Sequence, residues 1–436
     1  MRASLARWVG DADALRHLEY FNVDQPSLDL AHIRTRTDDY YLALVGELFD
    51  RMRTGSEDAA GWARLGNALA QLAGGQDERL RRVGISKSEA ILFASAAFYC
   101  GGFPASAYLV IRDATPKASD AEAYRACFDL IARPSDMTSR VGGQLIGALR
   151  RGDTQTLAAI GASATQRAEE ALRIGPDAWI PARLFELLMK RFLATNVRAV
   201  LPLRPEEADF WTPFVRSLLS RRPPSWEFFP SQIDAINRGL LDRNETFSLQ
   251  MPTGAGKTAL CETLLYWHAK TNDTDVAILL VPYRSLASEL RSSVVKRLND
   301  LGIRARCAYG GTVPTGDEVR DLDDTRVVVA TPEALSGLLG AGGDFFRRVS
   351  LVICDEGHLL DGGGRGVGLE LLLARMRARE GGAPRFVFVS AIVPNIEEIN
   401  AWLGGSANGV VRSDYRPAIA EYAVLRAQGT GASTKV

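Results

Sequence analysis

Apolar positions change their period part-way along the chain. In the first half they recur at three- and four-residue intervals with little Val or Ile, which predicts helices over 40–53, 61–72, 87–100, 119–132 and 180–194. Ser86 followed by Glu89, and Ser119 followed by Glu122, are capping-box signals, and Gly101-Gly102 with Pro104 is a stop. Arg221-Arg222-Pro223-Pro224-Ser225 reads as a boundary. Beyond it, short β-rich runs at 247–251, 276–282, 304–309, 326–330, 351–355 and 385–390 alternate with helical patterns at 259–270, 285–298, 333–339, 369–379 and 396–403. Near-continuous apolar strands in such alternation predict a parallel sheet with helices on both faces and ligands at the carboxyl ends of its strands. The organisation expected is an all-α accessory domain over 1–222, an α/β lobe over 223–425, and a small polar linker or disordered tail over 426–436.

Composition narrows this only in places. The 436 residues, 46% apolar and 24% charged, suit two or three globular domains. An uncharged run over 90–111 is long enough to span a bilayer, but Gly101-Gly102-Phe103-Pro104 interrupts it and predicts a helical hairpin in a core. Lys and Arg total 52 against 52 Asp and Glu, so the chain is no basic nucleic-acid sponge; strand binding would need local patches and backbone donors. Five Cys without a C-x-x-C pair and only four His argue against disulfide and zinc frameworks, and the N-terminus lacks the apolar core of a signal peptide. Both fit a cytoplasmic protein. Nothing in the first half resembles a catalytic constellation, and its charged residues read as solvated helix faces.

The chemistry concentrates after two predicted strands. Met251-Pro252-Thr253-Gly254-Ala255-Gly256-Lys257-Thr258 joins a strand to a helix. Its backbone N–H groups can wrap phosphate oxygens, Lys257 can reach the β- and γ-phosphates, and the Thr258 hydroxyl can ligate Mg²⁺. Met251 stands where the strict pattern has Gly. About 100 residues on, Leu351-Val352-Ile353-Cys354-Asp355-Glu356-Gly357-His358 is an apolar strand ending in two acids. There Asp355 would hold Mg²⁺ and Glu356 would orient and deprotonate a water, with His358 close to that base.

These motifs resemble the superfamily 2 DExH-box (DEAD/DEAH-like) helicases, with Asp355-Glu356-Gly357-His358 as the name motif. The resemblance runs in order through the lobe. Phe229-Pro230-Ser231-Gln232 looks like the Q motif, Pro282-Tyr283-Arg284-Ser285-Leu286 like motif Ia, Thr331-Pro332-Glu333 like motif Ib and Ser390-Ala391 like motif III. Arg365-Gly366, Glu370 and Trp402-Leu403-Gly404 are similar to the superkiller-like branch. The resemblance covers about 225–425 and implies the first RecA-like lobe of an ATP-dependent motor. It implies that Gln232 reads adenine and that Thr253, Gly254, Ala255, Gly256, Lys257 and Thr258 hold ATP. Mg²⁺ would then bind at Thr258 and Asp355. Arg284, Ser285, Gly310, Gly311, Thr331 and Pro332 would grip a DNA or RNA strand, DNA slightly favoured, by its phosphates. Ser390 and Ala391 would couple hydrolysis to movement, although Ile392 replaces the usual Thr of that motif.

Such motors need a second RecA-like lobe that supplies arginines to the γ-phosphate. No Gln-x-x-Gly-Arg-like stretch occurs, and Val411–Pro417 resembles the exit strand of lobe one. The expectation is a fragment of a longer helicase or one piece of a split motor, with low activity alone. A second reading is a nucleotide-gated, nucleic-acid-binding adaptor whose helical half recruits a partner such as a nuclease, in antiphage defence. An unrelated P-loop transporter motor lacks its signature.

Overall fold

The computed structural model describes residues 37–74, 87–204, 209–308, 322, 324–340, 345–361 and 363–419. The described residues fall into two compact units, one drawn from 1–194 with 417–436 and the other from 195–416.

The first unit is helical: Thr37–Thr54, Ala59–Gly74, Lys87–Cys100, Pro104–Ile111, Glu122–Ala132, Arg140–Arg151, Thr154–Leu172 and Pro176–Thr195. The uncharged run becomes two helices broken at Gly101-Gly102-Phe103. Ala90 and every residue from Leu92 to Tyr99 are buried and Ile91 is partly so, which leaves this stretch without a solvent face at the centre of its unit. Among the described residues no helix is long and apolar enough to cross a membrane. Periodicity does not reveal helix Arg140–Arg151, where Gly142, Gly143 and Gly147 dilute the apolar pattern, or helix Thr154–Leu172, whose apolar positions are mostly small Ala. Their ends carry the signal instead. Ser139 and Asp153 cap the two N-termini through side-chain oxygens, and Gly152 closes the first helix at φ 73°.

One expectation for this half needs correction: its acids are not all solvated. Asp129 is 0% exposed. Its carboxylate accepts from Thr138 N and Oγ1 at 2.9 and 2.8 Å and from Ser139 N and Oγ at 2.8 and 2.6 Å. Four donors replace the water it lost, and the carboxylate ties its own helix to the start of the next.

The second unit holds a seven-stranded parallel sheet: β1 Phe247–Gln250, β2 Val276–Leu280, β3 Ala305–Ala308, β4 Val327–Ala330, β5 Val349–Cys354, β6 Arg385–Ser390 and β7 Val410–Arg412. The order is β3-β4-β2-β5-β6-β1-β7. Neighbouring strands run parallel throughout, for example Leu249 opposite Val389 and Leu279 opposite Ile353. Ile278, Leu280, Val328, Val352 and Phe386 on one face pack with Leu335, Leu372 and Met376 from helices Pro332–Gly340 and Gly363–Arg377. The alternate residues turn to the other face, where helix Lys257–Thr271 packs against β2. This is a RecA-like α/β fold. The strand before the phosphate loop, β1, and the strand ending in the two acids, β5, flank β6, so three loops open at one edge.

Compact packing divides the chain at Ala194/Thr195, not at the Arg221–Pro224 stretch. The reason is aromatic and ionic. Trp211 stacks on Trp267 and Phe214 on Tyr266 of helix Lys257–Thr271, Phe210 meets Tyr266 edge-on, and Tyr266 donates its hydroxyl to Phe210 O at 2.6 Å. Arg221 bonds Glu262 at 2.9 Å, and Arg297 clasps the same carboxylate at 2.8 and 2.7 Å. Glu262 is 1% exposed. Removing one partner from such a buried pair costs about 3–5 kcal/mol.

Candidate functional site

The phosphate loop is shaped by two glycines and held from beneath. Gly254 and Gly256 sit at φ 84° and 85°, a region only glycine enters at little cost. A Cβ at Gly256 would also strike the Gln232 amide. That amide is a structural clamp: Gln232 Nε2 donates to Gly256 O at 2.9 Å, and Oε1 accepts from Phe229 N at 2.7 Å. Ser231 Oγ adds a bond to Ala255 O at 3.3 Å. Gln232 is 3% exposed, and its amide keeps one N–H and one lone pair for the expected adenine contact. Met251, in place of glycine, points into the core at 0% exposure while its N–H donates to Ser390 O at 2.9 Å. Thr253, Gly254 and Thr258 are exposed along the loop, and Ala255 is buried.

Lys257 and Glu356 meet across this loop. Lys257 is 8% exposed; its Nζ donates to Met251 O at 3.3 Å and lies 3.9 Å from Glu356 Oε1. The ammonium thus has a carbonyl and a carboxylate as partners that phosphate oxygens could replace. Glu356 adopts φ 52°, a left-handed conformation costing about 1 kcal/mol or more for a residue with a Cβ. The next residue has to be glycine, since a Cβ at Gly357 would run into the Phe388 ring on β6. His358 is half-exposed, with Nδ1 3.4 Å from Glu356 Oε2.

Asp355 closes β5 at 8% exposure. Among the described residues its one donor is Glu356 N, at 2.9 Å. Burial first, and the Glu356 charge second, push its carboxyl up to about 6. Such a carboxylate gains more than a solvated one from a cation, which would draw it back to the ionised form. Among the described residues no three His, Cys, Asp or Glu side chains cluster as a metal cage. The oxygens on offer are the Thr258 hydroxyl and the Asp355 carboxylate. That donor set suits Mg²⁺, which is held by one or two protein oxygens together with phosphates.

The strand-gripping candidates are only partly brought together. Arg284 and Ser285 are exposed at the start of helix Arg284–Leu290, just beyond β2. Pro332 begins the helix just beyond β4, on the neighbouring strand. Thr331 is 2% exposed, and its Oγ1 accepts from Ala334 N at 3.4 Å, so that hydroxyl caps a helix. Gly310 and Gly311 lie outside the described residues. Ser390 is fully buried, its Oγ has no partner among the described residues, and its carbonyl holds the phosphate loop through Met251. Ala391 is half-buried and Ile392 is 73% exposed.

Several contributors escaped sequence reasoning. The Met251–Ser390 bond is made by backbone and leaves no trace in residue type. Glu262 did leave one: a lone acid in the apolar run Leu260–Leu265 signals a buried partner. The pairing of Arg365 with Tyr283 also leaves no sequence signal: Arg365 lies on helix Gly363–Arg377 with its guanidinium 5.9 Å from the Tyr283 ring centroid.

Residues 229–399 match the family model described as DEAD/DEAH box helicase. The Hachiman protein HamB of Bacillus cereus is 28% identical over 251 residues, which are 57% of this chain and 22% of that protein. The ATP-dependent DNA helicase Hel308 of Methanocaldococcus jannaschii is 31% identical over 195 residues, 44% of this chain and 16% of that one. The chain thus spans about a fifth of the length of these relatives. A solved structure, a hypothetical ATP-dependent RNA helicase from Sulfolobus tokodaii, aligns with a TM-score of 0.35 at 21% identity, covering 44% of this chain and 53% of that one. The segment 229–399 is a DEAD/DEAH box helicase domain.

Proposed function

We propose that the lobe binds ATP with Mg²⁺ and works as one half of a two-lobe motor that moves along a nucleic-acid strand. The observation that carries the reading is the meeting of Lys257 with Glu356, 3.9 Å apart, beside the buried Asp355. In this reading the loop N–H groups and Lys257 hold the phosphates. Thr258 and Asp355 hold Mg²⁺, which offsets phosphate charge. Glu356 accepts the proton of the attacking water, and His358, against its other oxygen, steadies it. Arginines for the γ-phosphate come from a second RecA-like lobe, in a longer chain or a partner subunit, so this chain alone turns over slowly. DNA is the favoured strand, since Hel308 is named a DNA helicase.

The test is titration of a fluorescent ATP analogue with and without Mg²⁺. Lys257→Ala should weaken binding at least tenfold, about 1.4 kcal/mol; unchanged affinity would remove Lys257 from the site. Fast strand-stimulated hydrolysis by the 436-residue chain alone would sink the half-motor. The adaptor reading draws on Ile392, an exposed apolar side chain where a coupling hydroxyl is expected. It requires a protein partner that binds the helical half only when nucleotide is present; pull-downs with and without ATP decide it.

A further inference from the structure

The lobe has a concavity of about 120 Å³ beside the candidate nucleotide site. It opens at the carboxyl ends of β4, β2 and β5, three adjacent strands, where ligands of parallel sheets gather. Pro282 and Leu369 give it apolar walls, and Tyr283 and Arg365 stand together at its rim. Glu333 and Asp355 supply carboxylates. Tyr283 is 46% exposed, a large aromatic side chain left open to solvent. The pocket is also continuous with the candidate strand grip: Tyr283 immediately precedes Arg284 and Ser285, and Glu333 immediately follows Thr331-Pro332.

We propose that this pocket takes one unstacked nucleobase from the bound single strand. The proposal rests on the strand-binding reading above and adds a base contact to it. The volume admits one planar ring system without its sugar and phosphate. An aromatic ring paired with a guanidinium offers a base both a π-face and a cation, the means by which proteins hold single strands without reading sequence. The Glu333 carboxylate can accept from a base N–H, such as the ring imide of thymine, and Arg365 can donate to a ring nitrogen or carbonyl. Phosphate contacts from Arg284 and Ser285 would set the strand's path, and the pocket would fix its register one base at a time. Because Asp355 lines the same pocket, a seated base would exclude water from the Mg²⁺-side carboxylate, so strand and nucleotide would share a wall.

The experiment compares two strands of equal length on the full chain, oligo-dT and a strand of abasic sites, by fluorescence anisotropy over a range of salt. The intact protein should bind oligo-dT about tenfold more tightly than the abasic strand, within the range for base–aromatic stacking. Tyr283→Ala and Arg365→Ala should bring that ratio close to one, Tyr283→Phe should keep it, and the salt slope should stay unchanged. Unchanged ATP-analogue affinity in each variant verifies that the lobe is folded. A ratio that persists in both Ala variants overturns the pocket assignment while leaving strand binding intact. Equal affinity for both strands in the intact protein also overturns it. Failure of both strands to bind would overturn the strand-binding reading together with the pocket.

Discussion

Two buried aspartates, one in each unit, show what separates a carboxylate used for folding from one used for chemistry. Asp129 in the helical unit is fully buried and accepts four hydrogen bonds from Thr138 and Ser139. Asp355 in the α/β lobe is nearly as buried, yet among the described residues Glu356 N is its one donor, and its carboxyl is pushed up to about 6. The first has every lone pair answered within its own unit. The second keeps lone pairs directed at a place where a cation would answer them, at a cost to stability. His268 shows that a displaced pKa by itself does not mark a site. Burial lowers it to about 4, but it lies in the last turn of the helix that begins at Lys257, bonded to Ser350 Oγ at 2.7 Å.

The largest effect should come from the chemical side of this contrast. In a complete two-lobe assembly, Glu356→Gln should keep ATP bound and slow hydrolysis about 10²–10⁴-fold, because an amide cannot take the proton. Single-turnover kinetics check it, and an unchanged rate would withdraw Glu356 as the base. Next, Asp129→Ala should cost about 4 kcal/mol in denaturant unfolding by stranding buried donors, with ATP-analogue affinity preserved below the melting transition. A loss of affinity with full stability would reverse the assignment of the two aspartates.

Acid should act on His268 with a defined sign. Its folded pKa of about 4 lies below the ordinary value near 6.5, so between these limits the unfolded chain binds the proton and the folded one does not. Stability should therefore fall as pH drops from 6.5 to 4, by roughly 3 kcal/mol at most. His268→Gln should flatten that slope in chemical-denaturation curves. The smallest effect, and the sharpest discriminator, belongs to Asp355→Asn. A raised carboxyl pKa means ionisation opposes folding as pH rises from about 4 to 6; because an amide oxygen also accepts the Glu356 N–H bond less strongly, the net gain of the neutral side chain at pH 8 should be on the order of 1 kcal/mol, while turnover is lost. Destabilisation there would mean that Asp355 is a second Asp129.

Much of the lobe was legible because its signals are local. Apolar runs bounded by Gly, Pro and acids set β1 to β6, and Gly-x-Gly-Lys-Thr and Asp-Glu-Gly-His declare their chemistry in residue type alone. The helical half was less legible. Helix Arg140–Arg151 hides behind glycines and Thr154–Leu172 behind small alanines, and the helix Lys87–Cys100 is apolar on nearly all sides, so periodicity alone does not tell a central helix from a bilayer segment. Asp129 looked like any surface acid until its four donors were brought around it.

Sequence by itself determined that a phosphate loop and a paired-acid strand lie in one α/β lobe, because each motif is contiguous and its backbone geometry follows from its residues. Tertiary structure decided the rest. It brought Lys257 within 3.9 Å of Glu356, spent the Gln232 amide on the loop, turned Thr331 into a helix cap, and set Tyr283 beside Arg365 across 82 residues of chain. Those outcomes depend on which strands neighbour one another in the sheet, and strand order is a long-range choice that no local window of residues contains.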